Sequence, residues 1–264
     1  MLDKVVFVTG GSSGIGYFTA QALRDRGCTV YEGSRRGSDL EGVTHIPLDV
    51  TNDASVASAV RILLEREGRI DILIHCAGSG ISGAVEFTKT EDAIAQLDVN
   101  FFGVVRVIRE VLPIMRAQGN GRIVSISSVA ATFPIPFQAY YSASKSALNS
   151  YTLALANEVA PFGITVAAIQ PGDIKTGFTA ARKKSLMGDE IYGGRISRSV
   201  SGMERDEQSG MDPAIVGKMI AKLALKRSSK PVCTLGFGYK MLCLLGKILP
   251  ISLINRILRW LYAK

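Results

Sequence analysis

Residues 137–149 read FQAYYSASKSALN and set two tyrosines beside a lysine. On an α-helix, residues four apart lie on one face, about 5–6 Å between Cβ atoms, whereas residues five apart drift off it. The spacing therefore pairs Lys145 with Tyr141 and leaves Tyr140 as a neighbour. A phenol with its ordinary pKa of about 10 moves protons poorly at neutral pH. An ammonium one turn away favours the phenolate and draws that pKa toward the working range. A Y-x-x-x-K spacing alone is common by chance, and what lifts it is its company. The stretch GRIVSISS ends thirteen residues earlier at Ser128, whose hydroxyl suits a substrate carbonyl, and LDVNFFG supplies Asn100.

The elements that must position these groups follow from hydropathy. Val5–Val8 reads as a buried first strand ending at Thr9-Gly10, followed by a helix with Ile15, Phe18, Ala22 and Leu23 at helical spacing. CTVYEGS, THIPLDV, IDILIHCAG, GRIVSISS, ITVAAIQPG and KPVCTLG continue as strands two to seven. Helices are expected over 53–67, over 91–116 with an end near Pro113, and over 140–159. Strands apolar on both faces that alternate with helices imply a doubly wound parallel α/β sheet of Rossmann type in one domain, 1–264. Ligands of such sheets sit at the carboxyl ends of the strands.

The turn after the first strand, VFVTGGSSGIG, carries Gly10, Gly14 and Gly16 with Ser12, Ser13 and Ile15 between them. Glycines there permit a tight turn and close backbone approach, and free N–H groups with the helix dipole favour a pyrophosphate. The spacing is G-x-x-x-G-x-G, so on its own the signal is weak, and its place between strand and helix strengthens it. At the end of the second strand, Ser34, Arg35 and Arg36 offer a hydroxyl and two guanidiniums suited to a 2′-phosphate, which points to NADP(H).

Taken together, Thr9-Gly-Gly-Ser-Ser-Gly-Ile-Gly16, Leu48-Asp49-Val50, Ala77-Gly78, Asn100, Ser128, Tyr141 with Lys145, and Pro171-Gly172 followed by Thr176 resemble the short-chain dehydrogenase/reductase family over nearly the whole chain. The resemblance implies hydride transfer between nicotinamide C4 and a carbonyl or alcohol, with Tyr141 as general acid/base. It implies that Ser128 orients the substrate oxygen, that Lys145 holds the nicotinamide ribose and tunes the tyrosine, and that Asn100 anchors a proton-relay water. It places Asp49 and Val50 at the adenine, and has the backbone after Pro171-Gly172, with Ile174 and Thr176, grip the carboxamide. Where the family usually reads Asn-Asn-Ala-Gly, this chain reads His75-Cys76-Ala77-Gly78, with the histidine expected to share a bracing role.

About forty residues separate Gly172 from the helix beginning near Pro213. By the resemblance, 173–212 is a substrate lid, with Phe178, Leu186, Met187, Ile191 and Tyr192 available to enclose a bulky apolar molecule and FPIPF (133–137) as a facing wall. The chain then runs on through an amphipathic extension, 240–264, similar to that of 17β-hydroxysteroid and retinol dehydrogenase-like members. This favours a lipophilic ketone or alcohol: a steroid, bile acid, retinoid or long-chain ketone. The alternatives are a 3-oxoacyl (carrier protein or CoA) reductase and, in another class, a non-catalytic NADP-binding or membrane-surface module.

Composition narrows the setting. The net charge is +8, yet residues 213–264 hold ten Lys or Arg and no acid, leaving 21 basic against 23 acidic residues in 1–212. The final helix reads from Ser252 as N-cap, with Leu253, Ile254, Ile257, Leu258 and Leu261 on one face and Asn255, Arg256 and Arg259 on the other. Such a helix packs on its own domain, on a second subunit, or on an anionic membrane surface. No aromatic-interleaved basic groove points to nucleic acid. Four dispersed cysteines and two histidines give no metal-ligand spacing, and free thiols in a reducing, cytoplasmic compartment are expected. No segment reaches an uninterrupted membrane span of ~18 apolar residues, the nearest approach in the last stretch being broken by Lys247, Pro250, Asn255, Arg256 and Arg259, and the first residues are unlike a signal peptide. A homodimer or homotetramer is expected, since the family often pairs the helices carrying Asn100 and Tyr141 across a two-fold axis.

Overall fold

The computed structural model describes residues 3–263; of the expected C-terminal extension, Lys264 lies outside the described residues. Seven parallel strands form the central sheet in the order β3-β2-β1-β4-β6-β7-β9. They are β1 (Val5–Thr9), β2 (Thr29–Ser34), β3 (Thr44–Pro47), β4 (Ile72–His75), β6 (Gly121–Ile126), β7 (Ile164–Gln170) and β9 (Val232–Thr234). A second, two-stranded pair joins β5 (Ile81–Ser82) to β8 (Lys183–Lys184). The order reverses between β1 and β4, the point at which an open α/β sheet offers a crevice.

Strand residues alternate in facing two separate cores, which is why their sequences read as continuous apolar runs. Phe7, Leu73, Ile123 and Val166 join α2 (Asp53–Glu67), α4 (Gly103–Gln118) and α5 (Ala139–Val159) on one face. Val6, Val8, Ile74, Val124 and Ile169 join α1 (Gly14–Arg24) and α8 (Pro213–Ala224) on the other. Helix ends follow local chemistry: Asn52 caps α2 by accepting from the Ser55 N–H at 2.9 Å, and Asp212 caps α8, with Pro213 at its first position, by accepting from the Ala214 N–H at 2.7 Å.

The expected helix over 91–116 is instead two helices joined by one π-helical turn. α3 (Thr90–Leu97) passes through Asp98–Phe102 into α4, and Pro113 does not end it. Buried Val111 and Met115 hold the helix on the sheet past the proline. It stops at Gly119, whose φ of 69° is the left-handed conformation that glycine accepts without strain.

The stretch 173–212, expected as a lid, carries elements of its own. α6 (Phe178–Ala181) precedes β8, and α7 (Arg195–Gln208) follows a turn in which the Asp189 carboxylate accepts from the N–H groups of Ile196 and Ser197 at 2.9 and 3.0 Å. After β9 come α9 (Phe237–Gly246) and α10 (Ile251–Tyr262). Pro250, not Ser252, occupies the N-cap of α10, so Ser252 falls inside its first turn. Val129, Phe133, Cys243, Ile254 and Leu258 form a third cluster that fastens both tail helices over the carboxyl edge of the sheet.

Candidate active site

Tyr141 stands near the start of α5 and Ser128 just past the end of β6, so a helix and a strand aim both side chains into one crevice. Ser128 opens a 3₁₀ turn, Val129–Ala131, and its hydroxyl accepts from the Ala130 N–H at 3.1 Å. Lys145 is buried, lies with its Nζ 5.8 Å from the centre of the Tyr141 ring, and donates to the Ile126 carbonyl at 2.8 Å. Burial draws its ammonium down from 10.5 to about 8. Burial pushes the Tyr141 phenol up, against the Ser128 hydrogen bond and the nearby Arg182 guanidinium, which lower it. The phenol is thus protonated at neutral pH, above its ordinary value and not drawn below it.

Asn100 sits in the π-helical turn, fully buried, and does not line the crevice. Its carboxamide oxygen accepts from the Ser79 N–H at 2.8 Å, and its nitrogen donates to the Ser79 carbonyl at 3.0 Å and to Ser144 Oγ at 3.1 Å. Ser144 Oγ donates in turn to the Tyr141 carbonyl at 2.7 Å. Asn100 therefore braces the loop after β4 against the helix that carries the tyrosine. Nothing in the sequence marks Ser79, and the i+3 position of Ser144 from Tyr141 is the one signal that points to Ser144.

All the other expected cofactor residues line the same crevice: Gly10, Ser12, Ser13, Gly14, Ile15, Gly16, Ser34, Arg35, Arg36, Asp49, Val50, Cys76, Ala77, Gly78, Pro171, Gly172, Ile174 and Thr176. The glycines make a cradle that side chains would fill. Gly10 and Gly14 have φ of 70° and 53°, and a Cβ on Gly16 would stand 2.1 Å from the Gly10 carbonyl oxygen. At the β2 end, Glu32 is buried beneath the loop, bonded to His45 Nδ1 at 2.5 Å, and does not reach the crevice. Arg35 and Arg36 lie exposed at its rim. Hydrogen bonds from Thr51 hold the Asp49 carboxyl below its usual range, with Arg35 and Arg106 assisting. A backbone cradle for a pyrophosphate with two rim guanidiniums fits a phosphorylated dinucleotide.

His75 is buried in β4, its Nε2 has no hydrogen-bond partner, and burial lowers it to about 3. The ring is neutral, and the bracing expected of it is absent at that nitrogen. Burial pushes the neighbouring Cys76 thiol up to about 12, so it lines the cradle as an unreactive group. Among the described residues no cluster of His, Cys, Asp or Glu could hold a metal ion.

The substrate end of the cavity, about 800 Å³ in all, departs from expectation. Phe178 does line it, with its ring centre 5.8 Å from that of Tyr141, and Arg182 lies over the other partner of that ring, 5.6 Å from the Phe178 centre. Leu186, Met187 and Ile191 face solvent instead, because the turn through Gly188 is pinned by Phe87, and Tyr192 packs against Phe87 and Phe137. Phe133 and Ile135 of the FPIPF stretch form wall, whereas Phe137 does not. Gln138, Ala181 and Glu207 also line this end, and the tail adds apolar wall through Leu242, Leu245, Leu249, Ile254, Ile257, Leu258 and Leu261. Tyr239 of α9 stacks on Gly172 and bonds Asp173 twice, accepting from its N–H at 3.1 Å and donating to its carboxylate at 2.7 Å.

Comparison with known proteins agrees with this geometry. The family model described as short chain dehydrogenase matches residues 4–186. A 3-ketodihydrosphingosine reductase of Bacteroides thetaiotaomicron is 43% identical over 231 residues, 86% of each chain. A short-chain dehydrogenase from Streptomyces avermitilis superimposes with a TM-score of 0.84 at 30% identity, covering 98% of this chain and 96% of that one. An actinorhodin polyketide ketoreductase solved with NADPH gives 0.72 at 27% identity, covering 90% and 97%.

Proposed function

The chain belongs to the short-chain dehydrogenase family, and from that premise we propose that it is an NADP(H)-dependent ketoreductase for a long-chain, lipophilic ketone. One observation carries the reading: a single cavity runs from the Arg35/Arg36 rim, past Tyr141 and Ser128, to an apolar wall built by the tail helices. The name of the Bacteroides relative supports a long-chain 3-ketone over a steroid, bile acid or retinoid, and the ketoreductase solved with NADPH supports the cofactor.

NADPH, when bound on the glycine cradle, supplies a hydride to the carbonyl carbon. The residues of this chain supply the rest. Ser128 Oγ donates a hydrogen bond to the carbonyl oxygen as negative charge develops there. Tyr141, protonated because burial raises its pKa, passes its proton to that oxygen and completes the alcohol. Lys145 stabilises the phenolate left behind, and the Asn100–Ser144 link fixes the helix turn on which the tyrosine sits. The proton is recovered from solvent, so each turnover consumes one ketone, one NADPH and one proton.

The test is NADPH and NADH consumption by the purified protein across long-chain 3-keto, steroid, bile-acid, retinoid and 3-oxoacyl ketones, beside Tyr141→Phe. Turnover of a long-chain ketone with NADPH, reduced by about 10²–10⁴-fold in the variant at unchanged NADPH binding, is expected. Turnover of 3-oxoacyl substrates alone, or tight NADPH binding without turnover, overturns the reading.

A further inference from the structure

The tail helices have a second face. Eleven of the twenty large apolar side chains exposed among the described residues fall between Phe237 and Leu261. Along α9 and the turn after it, Phe237, Met241, Leu244 and Ile248 recur at helical spacing and point away from the protein, with Phe237 81% and Ile248 74% exposed. Along α10, Leu253, Ile257, Trp260 and Leu261 continue the stripe on the side next to the buried Ile254 and Leu258. None of Phe237, Met241, Leu244 and Ile248 lines the cavity. An apolar surface of this extent is uncommon on a protein that meets only water.

Two further observations choose its occupant. Lys240, Lys247, Arg256 and Arg259 are exposed beside the stripe, and no acid occurs from residue 213 onward. A protein core or an apolar peptide would leave these charges without complement, whereas an anionic lipid surface takes both the apolar side chains and the cations around them. The cavity also opens on this face. Leu242, Leu245, Ile257 and Leu261 line it, yet each is between 43% and 55% exposed, so they form the rim between α9 and α10.

We infer that helices α9 and α10 lie in the interface of an anionic bilayer and present the cavity mouth to the lipid, so that substrate passes between bilayer and active site without crossing water. The last clause rests on the proposed lipophilic substrate; docking on the bilayer does not. A sparingly soluble ketone dissolved in a membrane reaches such a mouth by lateral diffusion, and its alcohol returns the same way.

The single tryptophan of the chain, Trp260, reports on this face directly. The full-length protein is mixed with phosphatidylcholine vesicles with and without phosphatidylglycerol, and Trp260 emission and flotation are recorded. A blue shift and co-flotation with the anionic vesicles, weakened at ~1 M salt where screening falls to ~3 Å, are expected. A Phe237→Ser, Met241→Ser, Ile248→Ser variant should bind vesicles about tenfold or more weakly while reducing a small water-soluble ketone as the parent does. Lys240→Glu with Lys247→Glu should remove the preference for anionic lipid. No shift and no flotation overturns the inference. So does a lipid-free dimer that the serine variant dissociates, which would give the face to a second copy. Vesicle binding without turnover of any long-chain ketone would overturn the function proposed above and leave the docking intact.

Discussion

Two charged groups at the ends of the cofactor region decide different things. At Lys145 the sign can be worked out. Its folded pKa of about 8 lies below the ordinary 10.5, so between those values the unfolded chain holds more protons, and this lysine's contribution to stability rises with pH through that window. At pH 7 the fold carries a buried ammonium at a cost. The difference in Tm between the parent and Lys145→Met should therefore move in the parent's favour from about pH 7 to about pH 10, read by thermal unfolding in the absence of cofactor. At the other end, Arg35 and Arg36 are exposed at the crevice rim, while the acid of β2, Glu32, is held by His45. Replacing both arginines with alanine should raise the KM for NADPH about 10–100-fold and leave that for NADH nearly unchanged, with kcat retained, because the lost contact is the same in ground and transition states. A parallel rise for both cofactors would show the guanidiniums meeting something other than the 2′-phosphate.

At the scale of elements, glycines separate geometry from contact. Gly119 ends α4 with positive φ and open space around it, so Gly119→Ala should cost only about 1 kcal/mol in unfolding free energy and leave turnover alone. Gly16 has ordinary φ, but its Cβ would collide with the Gly10 carbonyl; Gly16→Ala should distort the cradle and abolish NADPH binding, as titration would show. The same distinction explains what could be read from the sequence. The strands were legible because burial on both faces writes itself into consecutive residues such as Val5–Val8, and Tyr141 with Lys145 was legible because one helix turn sets their distance. Pro113 misled because a local helix breaker was outweighed by Val111 and Met115 packing across the sheet. The π-helical turn at Asn100 left no periodic mark. Leu186, Met187 and Ile191 were apolar in the right stretch, but their direction was set by Gly188 against Phe87, a contact about a hundred residues away in sequence. The amphipathic tail was visible as a pattern, yet its seat on Val129 and Phe133 was not, since hydropathy states that a face is buried and not against what.

At the scale of the molecule, the sheet supplies the reaction and the tail supplies the room. The carboxyl edge of the sheet gathers cradle, hydroxyl, phenol and ammonium in one crevice. Beyond β9, Tyr239 clasps Gly172 and Asp173 while Leu258 and Ile254 bury against the turn after Ser128. The tail is thereby tied to both sides of the reacting centre, and its leucines and isoleucines extend the cavity away from it. Selectivity for chain length should then reside in the rim and not at Tyr141. Each methylene taken from water into such a wall contributes about 0.8 kcal/mol, close to a fourfold change in affinity. Ile257→Ala with Leu261→Ala, both already half exposed and so of little consequence for folding, removes wall where the far end of a long chain would lie. In a series of ketones of increasing chain length, the parent's kcat/KM should climb with each added carbon, and the double variant's should level off at shorter chains while matching the parent on the smallest member. Equal losses along the series would mean that the rim acts on the reacting carbonyl through the Tyr239 clasp, and that the apolar wall does not measure the substrate.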